Sequence, residues 1–165
     1  MGVYVLAGIA IGVAVTYLWR FVTRRHPVDP LTGIPTRPAA DDALRSLRDG
    51  DAVVVVDLDE LKAVNDDRGH GAGDALLQAL AAHLARGVRA QDTVARWGGD
   101  EFVIVLRGGA SAASAVVERL RQSAPTPFSA GVAVHAGGDG QATFERADAA
   151  LLVAKRAGGR RVVTA

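Results

Sequence analysis

In the middle of the chain, Ala52–Val56 is an unbroken run of small and β-branched residues that ends directly in Asp57-Leu58-Asp59-Glu60. A strand with one wet face alternates apolar and polar residues, so a run without alternation predicts a strand buried on both faces. Its carboxylates then stand at the strand's end. The flanking patterns fill in the fold. A short helix is expected over 40–48, and a longer one over 74–88, where Leu76, Leu77, Leu80 and Leu84 recur at spacings of three and four. Thr93–Trp97 and Glu101–Leu106 read as short strands joined through Gly98-Gly99-Asp100, a hairpin signal. A helix over 112–122, a strand over 128–135, a helix over 143–157 and a last short strand over 162–164 complete the series. The order β-α-β-β-α-β is that of an α+β, ferredoxin-like split βαβ domain.

The N-terminus has a different character. From Met1 to Trp19 there is no charged residue, and with Arg20 snorkelling the apolar stretch reaches about 20 residues, enough for a helix to cross a bilayer. Tyr4 and Trp19 lie near its ends, where amphipathic rings favour the interface. A cleaved signal peptide would need positive charge before the apolar run, whereas Arg20, Arg24 and Arg25 all follow it. A transmembrane helix over residues 1–23 is therefore expected in the cell membrane as a single pass. The following arginines place the rest of the chain in the cytoplasm. Gly8 and Gly12 form a small-xxx-small pair that would let two such helices approach, or they reflect the small residues common throughout this chain. Residues 24–40, which contain four prolines, read as a juxtamembrane linker and turn, leaving 41–165 for the folded domain.

Composition narrows the function. The 165 residues are 49% apolar and 22% charged, sufficient for one core, and the absence of cysteine excludes disulfides and thiolate metal sites. The net charge of +1 is uneven. Without the three arginines before residue 26, 16 basic groups face 18 acidic ones, which argues against a nucleic-acid binder.

Asp57 and Asp59 end one strand, and Asp100 and Glu101 occupy the turn between two others. In a split βαβ sheet these strands are neighbours, so the carboxylates can converge on a hard cation such as Mg²⁺ or Mn²⁺, which often bridges to phosphate. Taken singly, each acid could equally face water. Gly98 and Gly99 allow a ligand close to the turn, or simply satisfy a tight hairpin. The polar, Gly-rich segment from Asn65 to Asp74 reads as a loop leading into a helix, with neither a P-loop nor a dinucleotide pattern. Its Asn and Asp could meet a nucleobase edge, but local chemistry favours Asp74 as a helix cap. Against 17 arginines there are only two lysines, Lys62 and Lys155, each beside a glycine-rich segment where an ammonium could bind phosphate.

RWGGDEF at Arg96–Phe102 resembles the GGDEF domain of diguanylate cyclases. DPLTG at Asp29–Gly33, DLDELKAVND at Asp57–Asp66, GHGAGD at Gly69–Asp74, ADAALLVAK at Ala147–Lys155 and AGGRRV near the end follow in the same order. The resemblance covers residues 29–165 and implies a nucleotide-cyclase, polymerase-palm-like fold. It implies an enzyme that condenses two GTP into cyclic di-GMP, releasing pyrophosphate, as a homodimer with Mg²⁺. By the same resemblance Asp57 and the Leu58 carbonyl would bind metal, and Asp100 and Glu101 would bind metal and carry catalysis. Asn65 and Asp74 would read guanine, Lys62 and Lys155 would contact phosphates, and Gly98 and Gly99 would admit the nucleotide. Arg89 and Asp92 match an RxxD element that binds cyclic di-GMP as product inhibitor. There are departures: Gly159 replaces a phosphate-contacting arginine, with Arg160 and Arg161 following, and Thr36, Leu61 and Leu152 stand where the family has Asn, an aromatic residue and tyrosine. The rival expectation is a catalytically silent receptor for GTP or cyclic di-GMP that signals through a partner.

Overall fold

A computed structural model describes residues 26–165, in which a five-stranded sheet is covered by helices on both faces. The elements in order are α1 (Arg37–Arg45), β1 (Ala52–Leu58), α2 (Leu61–Arg68), α3 (His70–Gly87), β2 (Thr93–Gly98), β3 (Glu101–Leu106), α4 (Ala113–Gln122), β4 (Phe128–Val134), α5 (Gly140–Arg156) and β5 (Val162–Thr164). The strand order is β2-β3-β1-β4-β5. β1 is antiparallel to β3 and β4, β2 is antiparallel to β3, and β5 adds in parallel to β4. The first four strands are the split βαβ arrangement expected from the sequence.

The unbroken apolar run of β1 has the two-sided burial it predicts. Val54 and Val56 join Leu77, Leu80, Leu84, Val117 and Leu120 on the α3–α4 face. Val53 and Val55 join Ala39, Ala43, Leu44, Ala147 and Leu151 on the α1–α5 face. Each fully buried valine contributes about 1.5–3 kcal/mol over an exposed one, so this strand anchors both layers. On the second face β4 lies close to α5: a Cβ at Gly131 would stand 1.9 Å from the Ala147 carbonyl oxygen.

Three local expectations are corrected. LKAVNDDR forms α2, which periodicity does not reveal because the helix buries none of its residues. The segment 65–74 is not a loop but two helices meeting at Gly69, whose φ is +79°. Asp74 consequently lies inside α3 rather than at its start and caps nothing; the cap position belongs to Gly69. Residues 26–36 hold the expected turn, but it is fastened to the domain: Val28 bridges Pro35, Thr36 bridges Arg96, and Ile34 enters the core. The expected membrane span, residues 1–23, lies outside the described residues, and among those described no helix is long and apolar enough to cross a membrane.

Candidate active site

The β1–β3 register places Asp57 directly opposite Glu101. Gly98 pairs with Glu101, so the hairpin loop is Gly99-Asp100, and Gly99 has the positive φ, +52°, that the first position of such a loop favours. The Leu58 N–H donates to the Asp100 carbonyl at 3.2 Å, fastening the end of β1 to the hairpin tip. Asp57 and Glu101 thus stand side by side, with the Asp100 backbone tied to the end of β1, but among the described residues no three Asp, Glu or His side chains form a group that could hold a metal ion.

Lys155, from the last turn of α5, reaches this end of the sheet. Its ammonium donates to Asp57 Oδ1 and, at 2.7 Å, to Asp59 Oδ1. Asp59 is buried and further satisfied by the Ser129 hydroxyl at 2.9 and 3.0 Å and by the Arg160 N–H at 2.9 Å. It therefore holds the C-terminal segment in place. Burial pushes the Asp57 carboxyl above its ordinary pKa; Lys155 opposes this, while the charges of Asp100 and Asp59 add to it. Glu101 is likewise raised, first by burial and then by the neighbouring charges of Asp57, Asp148 and Asp100. Burial alone would lower the Lys155 pKa, but its bonds to Asp57 and Asp59 outweigh that and raise it. Carboxylates disfavoured as anions in one place are suited to taking up a cation.

Beside the hairpin is a cleft of ≈ 350 Å³ lined by Lys62, Asn65, His70, Arg96, Gly99 and Asp100, among others. Asn65 Oδ1 is buried without a hydrogen-bond partner, a costly state for an amide oxygen. It fits only because position 73 is glycine, where a Cβ would lie 2.0 Å from that oxygen. Asp74 does not line this cleft. It is exposed on α3 between His70 and Leu77, at the spacing that puts all three on one helix face.

Arg96 was not legible as a site residue. Its Nε and Nη2 grip the Gly99 carbonyl at 3.0 and 2.6 Å, and its Nη1 meets Asp29 Oδ1 at 3.0 Å. The turn around Asp29 is thus tied to the hairpin tip. Asp148, which raises Glu101, was also missed, although its seven-residue spacing from Lys155 puts both on one face of α5. Arg89 and Asp92 lie elsewhere, in the turn between α3 and β2. Asp92 accepts from the backbone N–H groups of Arg89 and Arg107, both at 2.9 Å, and exposed Arg89 lines cavities of ≈ 510 and ≈ 270 Å³.

Residues 26–161 match the family described as "Diguanylate cyclase, GGDEF domain". The chain belongs to that family. It is 42% identical over 158 residues to the diguanylate cyclase DgcP of Pseudomonas aeruginosa, covering 83% of this chain and 24% of that protein. With the bifunctional diguanylate cyclase/cyclic di-GMP phosphodiesterase MucR of the same organism it shares 40% over 152 residues, 79% of this chain and 22% of MucR. The chain thus spans about a quarter of the length of these relatives. Among solved structures, a microbial GGDEF domain described in its interaction with cyclic di-GMP superposes with a TM-score of 0.76 at 37% identity, over 84% of this chain and 98% of that one. Diguanylate cyclase SiaD of P. aeruginosa, solved with its activator SiaC, gives 0.77 at 32% identity over 98% and 70%.

Proposed function

We propose that the chain is a diguanylate cyclase that works as a homodimer, each protomer holding one GTP, and joins two GTP into cyclic di-GMP with release of pyrophosphate. The observation that carries this is Asp57 facing Glu101 across the central ladder, with Asp100 on the tip beside the Asn65 cleft. Asp57, the Leu58 carbonyl, Asp100 and Glu101 are all oxygen donors, the ligand type that suits Mg²⁺ or Mn²⁺, and the Lys155 ammonium now pairs with Asp57. In the arrangement with Lys155 bound, no three His, Asp or Glu side chains among the described residues converge on one point. When bound, the metal would stabilise the charge developing on the attacking and leaving oxygens.

The chain's own residues supply the rest. Asp100 accepts the proton of the attacking 3′-hydroxyl, and Lys62 and Lys155 hold phosphates. Gly98 and Gly99 let the nucleotide approach the backbone. Asn65, which lines the cleft, and Asp74 on the neighbouring helix meet the guanine edge, whose N1–H and N2 amine adenine lacks as a pair. Positioning then carries most of the catalysis, since phosphoryl transfer asks little covalent chemistry of the protein. Arg89 is the ligand of a product-inhibition site whose turn Asp92 shapes. Residues 1–23 anchor the chain in the cell membrane with the domain in the cytoplasm, and Gly8 and Gly12 pair two anchors.

One observation favours the silent-receptor reading. Gly159 stands where the family has an arginine, and the next two arginines are engaged: Arg160 with Glu60 at 2.7 Å, and Arg161 with the Gly159 carbonyl at 3.1 Å. The deciding experiment incubates the full chain in membranes with GTP and Mg²⁺ and assays cyclic di-GMP, alongside Asp100→Ala. Product from the wild type alone is expected. Product from Asp100→Ala, or nucleotide binding without product in a verified wild-type dimer, rejects the cyclase.

A further inference from the structure

We infer that Lys155 is a built-in counter-cation of the metal site, and that it and the metal hold Asp57 in alternation. The hydrogen bonds of the two aspartates carry the argument. Among the described residues, the carboxylate of Asp57 is hydrogen-bonded by Lys155 alone, whereas Asp59 keeps Ser129 and the Arg160 N–H whether or not the ammonium stays. Departure of Lys155 therefore frees Asp57 and leaves Asp59 satisfied.

The exchange has a physical reason. With no positive charge beside them, Asp57, Asp59, Asp100 and Glu101 would repel across adjoining strand ends. The ammonium relieves that repulsion in the nucleotide-free protein. A divalent ion cannot take the same oxygen while a cation remains in contact with it, because two positive charges at this spacing repel strongly in a half-buried site. Lys155 is only partly buried, with a side-chain exposure of 31%, and its four-carbon stem can swing the ammonium away from Asp57 without moving α5. The phosphate of an incoming nucleotide then offers it a new anion. Lys155 thus acts as a positioning residue that resists metal before the nucleotide arrives and favours joint loading of both.

The inference rests on the divalent-cation reading of the site. The test uses Mn²⁺ alone, followed by loss of the free-ion EPR signal, with no nucleotide present. Lys155→Met is expected to bind Mn²⁺ about tenfold more tightly than wild type, while Lys155→Arg, which keeps the charge, binds no more tightly. Equal or weaker binding by Lys155→Met overturns the proposal, as does the absence of Mn²⁺ binding from both proteins. If Lys155→Met does not fold, the wild type gives a second measurement. Because Lys62 and Lys155 are the chain's two lysines, lysine-selective isotope labelling yields one ammonium signal from each. Added Mg²⁺ should shift the Lys155 signal, leave Lys62 in place, and lose its effect in Asp57→Asn; an unmoved Lys155 signal at saturating Mg²⁺ overturns the exchange. A protein that shows the exchange but makes no cyclic di-GMP loses the cyclase reading and keeps this one, and an active cyclase whose Lys155 stays put does the reverse.

Discussion

β1 carries a carboxylate at each end, and the two are treated in opposite ways. Asp51, just before the strand, is buried and receives Arg107 Nη1 at 2.7 Å, the Gly108 N–H at 2.8 Å and the Arg48 N–H at 3.0 Å. Burial alone would raise its pKa, but these donors outweigh it and hold the carboxyl below its ordinary value. Asp57, at the other end, has one ammonium and several like-charged neighbours, and its pKa is raised by burial and by those neighbours. A carboxylate surrounded by donors has finished its chemistry and holds the fold. One left short of donors retains free energy that a cation or ligand can satisfy. The same residue type on the same strand therefore serves structure at one end and reactivity at the other.

The sharpest challenge to this contrast is a pair of substitutions. Asp57→Asn is expected to cut cyclic di-GMP formation by about 10³-fold, since it removes a metal carboxylate, with the folded state intact. Asp51→Ala should instead lower the unfolding free energy by about 3 kcal/mol, read from urea denaturation, because it leaves the Arg107 guanidinium without its buried partner. Comparable stability losses from both substitutions would erase the distinction.

Arg96 tests whether the reactive end depends on a saturated network of its own. Arg96→Ala frees the Gly99 carbonyl and Asp29, so the hairpin tip loses its brace. A fall in kcat of about tenfold, with little change in the urea midpoint, is expected. A change confined to stability would make Arg96 a fold residue only.

The smallest effect is in the pH dependence of stability. The pKa of Asp51 is depressed in the folded state, so its contribution is present above its ordinary value of 3.8 and is lost as pH falls through the lower folded value. Asp57 is raised, so its ionisation costs stability above its folded pKa, and that cost is relieved as pH falls through it. Asp57→Asn should therefore be more stable than the wild type in the metal-free protein at neutral pH, and the gain should vanish in acid. The deficit of Asp51→Ala should also shrink in acid, but from the opposite sign. Unfolding curves of the three proteins between neutral pH and pH 3 would read both trends.

Much of this site could be read in one dimension because its parts are local. The unbroken valines specify a doubly buried strand, Gly98-Gly99-Asp100 specifies a tight turn, and the acids beside each follow from position in the chain. Helix α2 escaped because LKAVNDDR presents no apolar stripe, so periodicity had nothing to detect. Asp74 was misread for a related reason: an aspartate before leucines resembles a cap, yet α3 extends back to His70 once Gly73 is packed on Asn65. The Arg96–Asp29 pair, the approach of Asp148 to Glu101 and the engagement of Lys155 were invisible because each joins residues distant in the chain.

Local order along the polypeptide was enough to name the strands, the turn and the carboxylates at their ends, since backbone preference and hydrophobic pattern act over a few residues. Which carboxylates meet, and which are silenced, came from packing. Asp57 faces Glu101 through the register of two strands, Lys155 crosses 98 residues to reach Asp57, and Arg96 crosses 67 to reach Asp29. Those separations close when both faces of β1 are buried at once, because a one-residue slip would turn every valine to the wrong layer and carry Asp57 away from its partners.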